Sequence, residues 1–190
     1  MKRLLLLLVT VCILLTGCIN QKIVSTNIAN YTADCQSVGN ASRFMPNIAD
    51  LGAYAQLKYT YQVTDFCMLF RSDGLALFVK YDQENYEAQK EHVLNSYTFL
   101  ESPVMSDSDT YALPLTEFEY NGCMMKIVPD DDSSFRACKS FMILGLNDDE
   151  CVIAYLYFYD FDHDYIAKVD DDLNAEMIEF VDDAFSWMSF

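Results

Sequence analysis

Cys151-Val152-Ile153-Ala154-Tyr155-Leu156-Tyr157-Phe158-Tyr159-Asp160-Phe161 is the stretch on which the reading of the fold turns. It carries no charge before Asp160 and is rich in aromatic and β-branched residues, which suit a pleated strand. A strand that is apolar on both sides belongs in the middle of a sheet. Successive side chains point to opposite faces. Val152, Ala154, Leu156 and Phe158 therefore share one face, and Ile153, Tyr155, Tyr157, Tyr159 and Phe161 share the other. If helices cover one face only, the aliphatic side suits the core and the aromatic side stays open. Tyr155, Tyr157, Tyr159 and Phe161 then form a candidate binding face of flat apolar area edged with hydroxyls, fit for a protein, peptide or glycan. The competing reading is a tyrosine-lined second face that other parts of the chain shield.

Upstream of this run, Phe118 to Val128 reads as a strand interrupted by Asn121-Gly122, and Phe135 to Leu146 as its return after a turn at residues 129–134. A second turn, Asn147 to Glu150, leads into Cys151. Earlier still, Leu57, Tyr59 and Tyr61 alternate as in a strand. The apolar runs Cys67 to Phe70 and Leu75 to Tyr81 flank Arg71-Ser72-Asp73-Gly74, whose Asp-Gly step predicts a hairpin turn. Asp82 is placed to cap a helix carrying Tyr86, Lys90, Val93, Leu94, Tyr97 and Leu100 at helical spacing, closed by Ser102-Pro103. Residues 104–114 read as a loop. A last helix, from about Asp171 to Met188, has the stripe Leu173, Met177, Val181, Ala184, Phe185 and Met188. This order predicts an α+β fold: one mainly antiparallel sheet of about five to six strands, with two helices packed on one face.

The chain opens differently from its body. Lys2 and Arg3 precede Leu4 to Leu15, an apolar run broken only by Thr10. Twelve residues are too few to cross a bilayer as a helix, which takes about 20, but they suit the apolar region of an export signal. Leu15-Thr16-Gly17-Cys18 then resembles the lipobox of bacterial lipoproteins. That resemblance implies cleavage before Cys18 and a diacylglyceryl group on its sulfur, and hence a lipid-anchored protein on the extracytoplasmic face of the cell membrane. Two acyl chains satisfy the requirement for stable anchoring. The expected division is a signal peptide over 1–17, a lipidated tether over 18–43, polar and small in composition, and a single α+β domain over 44–190. The body also resembles uncharacterised small lipoproteins of gut-type Gram-positive bacteria, through Asp50-Leu51-Gly52, Tyr81-Asp82 with Tyr86 and Lys90, and Tyr157 to Asp162. That group implies an address and no activity.

Without residues 1–17 the chain keeps 10 basic and 29 acidic residues, a formal charge of −19. Such a body is repelled by phosphate, which counts against nucleic acid and against adsorption on anionic lipid by charge. Cationic partners are the favoured company.

Asp160, Asp162 and Asp164 are the candidate metal ligands, since Ca²⁺ takes converging carboxylate oxygens. They match the first, third and fifth positions of an EF-hand loop, but Tyr165 stands where that loop needs Gly and Lys168 opposes a cation. The ordinary reading is a solvated strand end. No cofactor other than Ca²⁺ is indicated. His163 and His92 are the two histidines, and no hydrolase, metalloprotease or nucleotide-binding motif accompanies them. A hydrolase with no recognisable motif would need a pocket holding His163 with a nucleophile in reach. Cys123 and Cys138 lie symmetrically about the turn at Asp130-Asp131. A hairpin in that register would set them opposite each other as a candidate disulfide, in the kind of compartment where such bonds persist. Cys67 and Cys151 read as core residues. The expectation for the whole is a non-enzymatic binding module, with divalent-cation binding and hydrolysis as the alternatives.

Overall fold

The computed structural model describes residues 20–66, 70–130 and 139–190. In chain order its strands are β1 (Asn20–Ser25), β2 (Gln56–Phe66), β3 (Phe70–Lys80), β4 (Val104–Asp107), β5 (Thr110–Leu113), β6 (Glu117–Tyr120), β7 (Cys123–Pro129), β8 (Ser140–Asn147), β9 (Val152–Asp160) and β10 (Ala167–Lys168). Its α-helices are α1 (Tyr31–Ser37), α2 (Ala41–Phe44), α3 (Gln83–Ser96) and α4 (Leu173–Ala184). The expected α+β class is present. Seven strands form one antiparallel sheet in the order β1-β2-β3-β9-β8-β7-β6, and β10-β5-β4 form a small second sheet. Residues 104–114, read as a loop, supply two strands of that second sheet.

β9 is the central strand, and both of its faces are buried. From Val152 to Phe158 no residue is more than 5% exposed. Ala154, Leu156 and Phe158 pack with Met177, Val181, Ala184 and Phe185 of the α4 region and with Ala112 and Leu113 of the small sheet. Ile153, Tyr155 and Tyr157 pack with Tyr31, Cys35, Val38, Ala41 and Leu51 and with Tyr86 and Val93 of α3. The two long helices therefore lie on opposite faces, not on one. Two apolar faces on one strand demand two covers, and the sheet has a layer on each side.

The second cover comes from the stretch read as a tether. From Asn20 onward that stretch belongs to the fold: β1 pairs along β2, and Tyr31, Cys35, Val38 and Ala41 are buried. Tyrosine hydroxyls fasten it to the sheet and to α3. Tyr59 donates to Asp34 at 2.9 Å, the Tyr157 hydroxyl accepts from the Asn40 N–H at 2.8 Å, and Tyr97 donates to the Phe44 carbonyl at 2.8 Å. Irregular backbone must find hydrogen-bond partners when buried, and a tyrosine supplies bulk and a polar tip together. Gly39, at φ +43°, lies so close over this face that a Cβ there would meet Tyr159 Cδ2 at 2.7 Å.

Two Gly steps resolve differently from the reading of the sequence. Asn121 (φ 49°) and Gly122 (φ 73°) are the two-residue turn between β6 and β7, the left-handed pair such hairpins require. Asp73-Gly74 is no turn. Gly74 lies inside β3, opposite both Gln62 and Phe158, and a Cβ on it would meet the Ala184 carbonyl oxygen at 2.0 Å. It is glycine because the end of α4 rests on it. Asp73 is buried and accepts from Tyr61 at 2.6 Å and from Arg71 at 2.8 Å. Buried polar residues of β2 complete the seat of α4. Gln62 donates to the Asp183 carbonyl, and Thr60 to the Ser186 carbonyl, so carbonyls that the helix leaves unpaired are satisfied.

A side chain at position 74 must displace α4. Gly74→Ala is expected to cost about 1–3 kcal/mol through overpacking, a fall of several degrees in melting temperature for a chain of this size. Thermal unfolding followed by circular dichroism measures it, and an unchanged midpoint would contradict this seating of the helix.

Candidate functional site

The row Lys22, Thr64, Ser72 and Asp160 runs straight across β1, β2, β3 and β9. With α4 and the β9–β10 connection it walls a cleft of about 490 Å³. Phe158, Phe180 and Ile166 line its apolar part, and Asp160, Glu176, Glu179 and Asp183 supply four carboxylates against the single Lys22.

Local sequence explains how each wall is held. Asp160 ends β9 by accepting from the Asp162 N–H at 2.8 Å, a side-chain turn of the kind Asp favours. The chain reverses there and carries His163 into the cleft. It then returns along the small sheet, where the Ile166 N–H donates to the Tyr111 carbonyl. Asp171 accepts from the Lys168 N–H. Asp172 caps α4 through the N–H groups of Asn174 and Ala175, as expected of an N-cap. Glu176, Glu179 and Asp183 recur every three to four residues along α4 and share a flank, beside the buried stripe of Met177, Val181 and Ala184.

His163 packs edge-on against Phe158, with ring centroids 5.4 Å apart, and beside Phe180 at 5.9 Å. Its Nε2 is buried without a hydrogen-bond partner. Burial lowers its pKa from 6.5 to about 4, with the Ala112 carbonyl pulling the other way, so the ring is neutral at physiological pH. Burial has the opposite effect on Asp160, raising its carboxyl above the ordinary range. The cleft thus combines a neutral imidazole whose buried Nε2 lacks a hydrogen-bond partner, an aromatic floor and a rim of carboxylates. Ser72 and Thr64 line the same cleft, but no hydroxyl reaches Nε2, so the pairing that activates a nucleophile is not formed.

The structure brings together only some of the residues singled out from the sequence. Asp160 and His163 meet in the cleft, whereas Asp162 and Asp164 are exposed. Among the described residues no three His, Cys, Asp or Glu side chains gather as a metal ion requires. Asp160, Asp162 and Asp164 do not converge: the Asp160 carboxylate holds a turn, and Asp162 and Asp164 face solvent. The aromatic face is not open either. Tyr155 and Tyr157 are 1% and 0% exposed, Tyr159 is half-buried, and only Phe161 stands out, at 69%. His92 is exposed on α3. Cys18 and Cys138 lie outside the described residues. The β7–β8 register pairs Met124 with Leu146, which carries Cys123 toward Asn147 and not toward position 138. Cys123 is a free buried thiol bonded by Asn147, and burial pushes it up to about 11. Cys151, read as core, sits half-buried at a turn with φ 53°. Glu176, Glu179 and Asp183 escaped the sequence reading because acids beside an apolar stripe look like an ordinary solvated helix face.

The neutral ring has a pH signature. Well above pH 6.5 His163 adds no pH dependence. As pH falls toward 4 the unfolded chain takes a proton that the folded ring refuses, so stability drops by an amount on the order of 3 kcal/mol. Asp160, with its raised pKa, works with the opposite sign, its penalty being relieved in acid. Urea unfolding between pH 7 and 4 is expected to show a steeper loss for the native protein than for His163→Phe, and parallel profiles would refute a buried neutral ring. No family model, curated protein or solved structure matches this chain.

Proposed function

We propose that this chain is an extracytoplasmic lipoprotein, anchored to the cell membrane through Cys18. Its folded body acts as a non-enzymatic binding module for a cationic group with an apolar part, such as an amine- or guanidinium-bearing side chain of a peptide. The address rests on the resemblance of Leu15-Thr16-Gly17-Cys18 to a lipobox, behind a short apolar run. The binding reading is carried by one observation: the cleft sets four carboxylates around an aromatic floor in which His163 Nε2 lacks a partner.

Each part of the cleft has a task in such binding. The Phe158 and Phe180 rings offer apolar area and, to a cation above them, a negative π-face. The carboxylates Glu176, Glu179 and Asp183 lie at the mouth, where they attract and orient a cation. Asp160, deeper and partly desolvated, is the candidate for a direct charged hydrogen bond, which is stronger than one between neutral groups. Nucleic acid is disfavoured by the same charge.

Calorimetric titration with phenethylammonium, using benzoate as the anion of similar shape, tests the binding. The amine is expected to bind and the benzoate not. Asp183→Asn or Glu179→Gln is expected to weaken the amine by roughly two- to fivefold, the range for exposed charge pairs. Equal binding of the two probes, or none of the amine, would sink the cationic-ligand reading. The anchor is tested separately by the intact mass of membrane-extracted protein, which should start at Cys18 and carry acyl chains.

A further inference from the structure

The polar residues on the sheet side of the cleft stand in an order, and the order says more than the net charge does. Lys22 on β1, Thr64 on β2, Ser72 on β3 and Asp160 on β9 form one row across four neighbouring strands. All four line the cleft. The row has a cation at one end, a carboxylate at the other and two hydroxyls between them. Lys22 is exposed, and the other three are half-buried. Much of this polar capacity is unengaged by the fold. Among the described residues no ion pair joins the Lys22 ammonium to a carboxylate. Neither the Thr64 nor the Ser72 hydroxyl has a hydrogen-bond partner among them.

The row also has a length. Neighbouring strands lie about 4.8 Å apart, so three steps set the Lys22 and Asp160 backbones about 14 Å apart. The flexible four-carbon stem of lysine reaches inward from one end, and the shorter aspartate side chain from the other. A ligand that bridges them therefore holds its two charges at roughly half the backbone distance. A free α-amino acid is too short, because one carbon separates its ammonium from its carboxylate. Two residues of extended chain span at most about 7 Å, which fits. We propose that the cleft takes a short peptide of about two residues with free ends, its ammonium at Asp160 and its terminal carboxylate at Lys22. The proposal rests on the cationic-ligand reading above and adds to it an anionic end and a length. The Thr64 and Ser72 hydroxyls can each donate and accept, and they face the peptide group between the ends. The first side chain meets Phe158, Phe180 and Ile166, the apolar part of the lining. Four carboxylates would by their field alone disfavour a ligand that carries a carboxylate, so Lys22 is what admits one.

Calorimetric titration of the full-length protein compares three probes: phenylalanyl-alanine, its C-terminal amide and phenethylammonium. The free acid is expected to bind about two- to fivefold tighter than the amide at low salt, the range for an exposed charge pair. Lys22→Gln is expected to reverse that order, with phenethylammonium bound at least as tightly as before because a cation has left the cleft. Lys22→Arg, which keeps the charge, is expected to retain the preference for the acid. If phenethylammonium binds but the native protein takes the amide as tightly as the acid, or if Lys22→Gln keeps the preference, the two-ended reading is overturned and the cationic-ligand reading stands. If none of the three binds, the cationic-ligand reading fails and this proposal goes with it.

Discussion

A central strand buried on both sides sets the terms for everything else in this protein. β9 has no polar face to turn to water, so the fold must supply two covers. They are built differently because the two faces differ. The aliphatic side meets α4 and the small sheet mainly through apolar side chains, with Gln62 and Thr60 binding the carbonyls at the end of α4. The aromatic side meets short helices and irregular backbone between Ile28 and Leu51, whose polar groups need partners once buried. Tyr59, Tyr97 and Tyr157 meet that need through their hydroxyls. An all-leucine face of equal area would match the apolar burial and leave the Asn40 N–H and the Phe44 carbonyl unsatisfied, at about 1–3 kcal/mol for each such group.

The cleft follows from the same packing. α4 lies where it does because Gly74 lets its last turn touch the sheet and because Gln62 and Thr60 bind carbonyls at its end. With the helix seated there, its acidic flank faces the turn that ends β9, and His163 is pressed between Phe158 and Phe180. The site is therefore a by-product of covering one face of β9, with side chains chosen for the gap that remains. Its charge is that of the whole surface, concentrated where aromatic walls lower the local polarity.

Periodicity alone was enough to recognise β9 as central, α3 and α4 as helices and the class as α+β, because alternation and helical spacing are local properties of the chain. The resemblance of Leu15 to Cys18 to a lipobox is likewise local, carried by residues in a row. What lay beyond reach was set by contacts between distant residues. Asp73-Gly74 and Asn121-Gly122 look alike in sequence, yet one is a packing position and the other a turn, and only the approach of Ala184 tells them apart. The stretch after Cys18 is polar enough to pass for a tether, and its few apolar residues count only once the tyrosine face needs covering. The cleft joins β1, β2, β3, β9 and α4 across more than 150 residues of chain, and no pattern within any one of those segments could announce it. Local spacing names the elements, while which faces meet is decided by the burial demands of all of them at once.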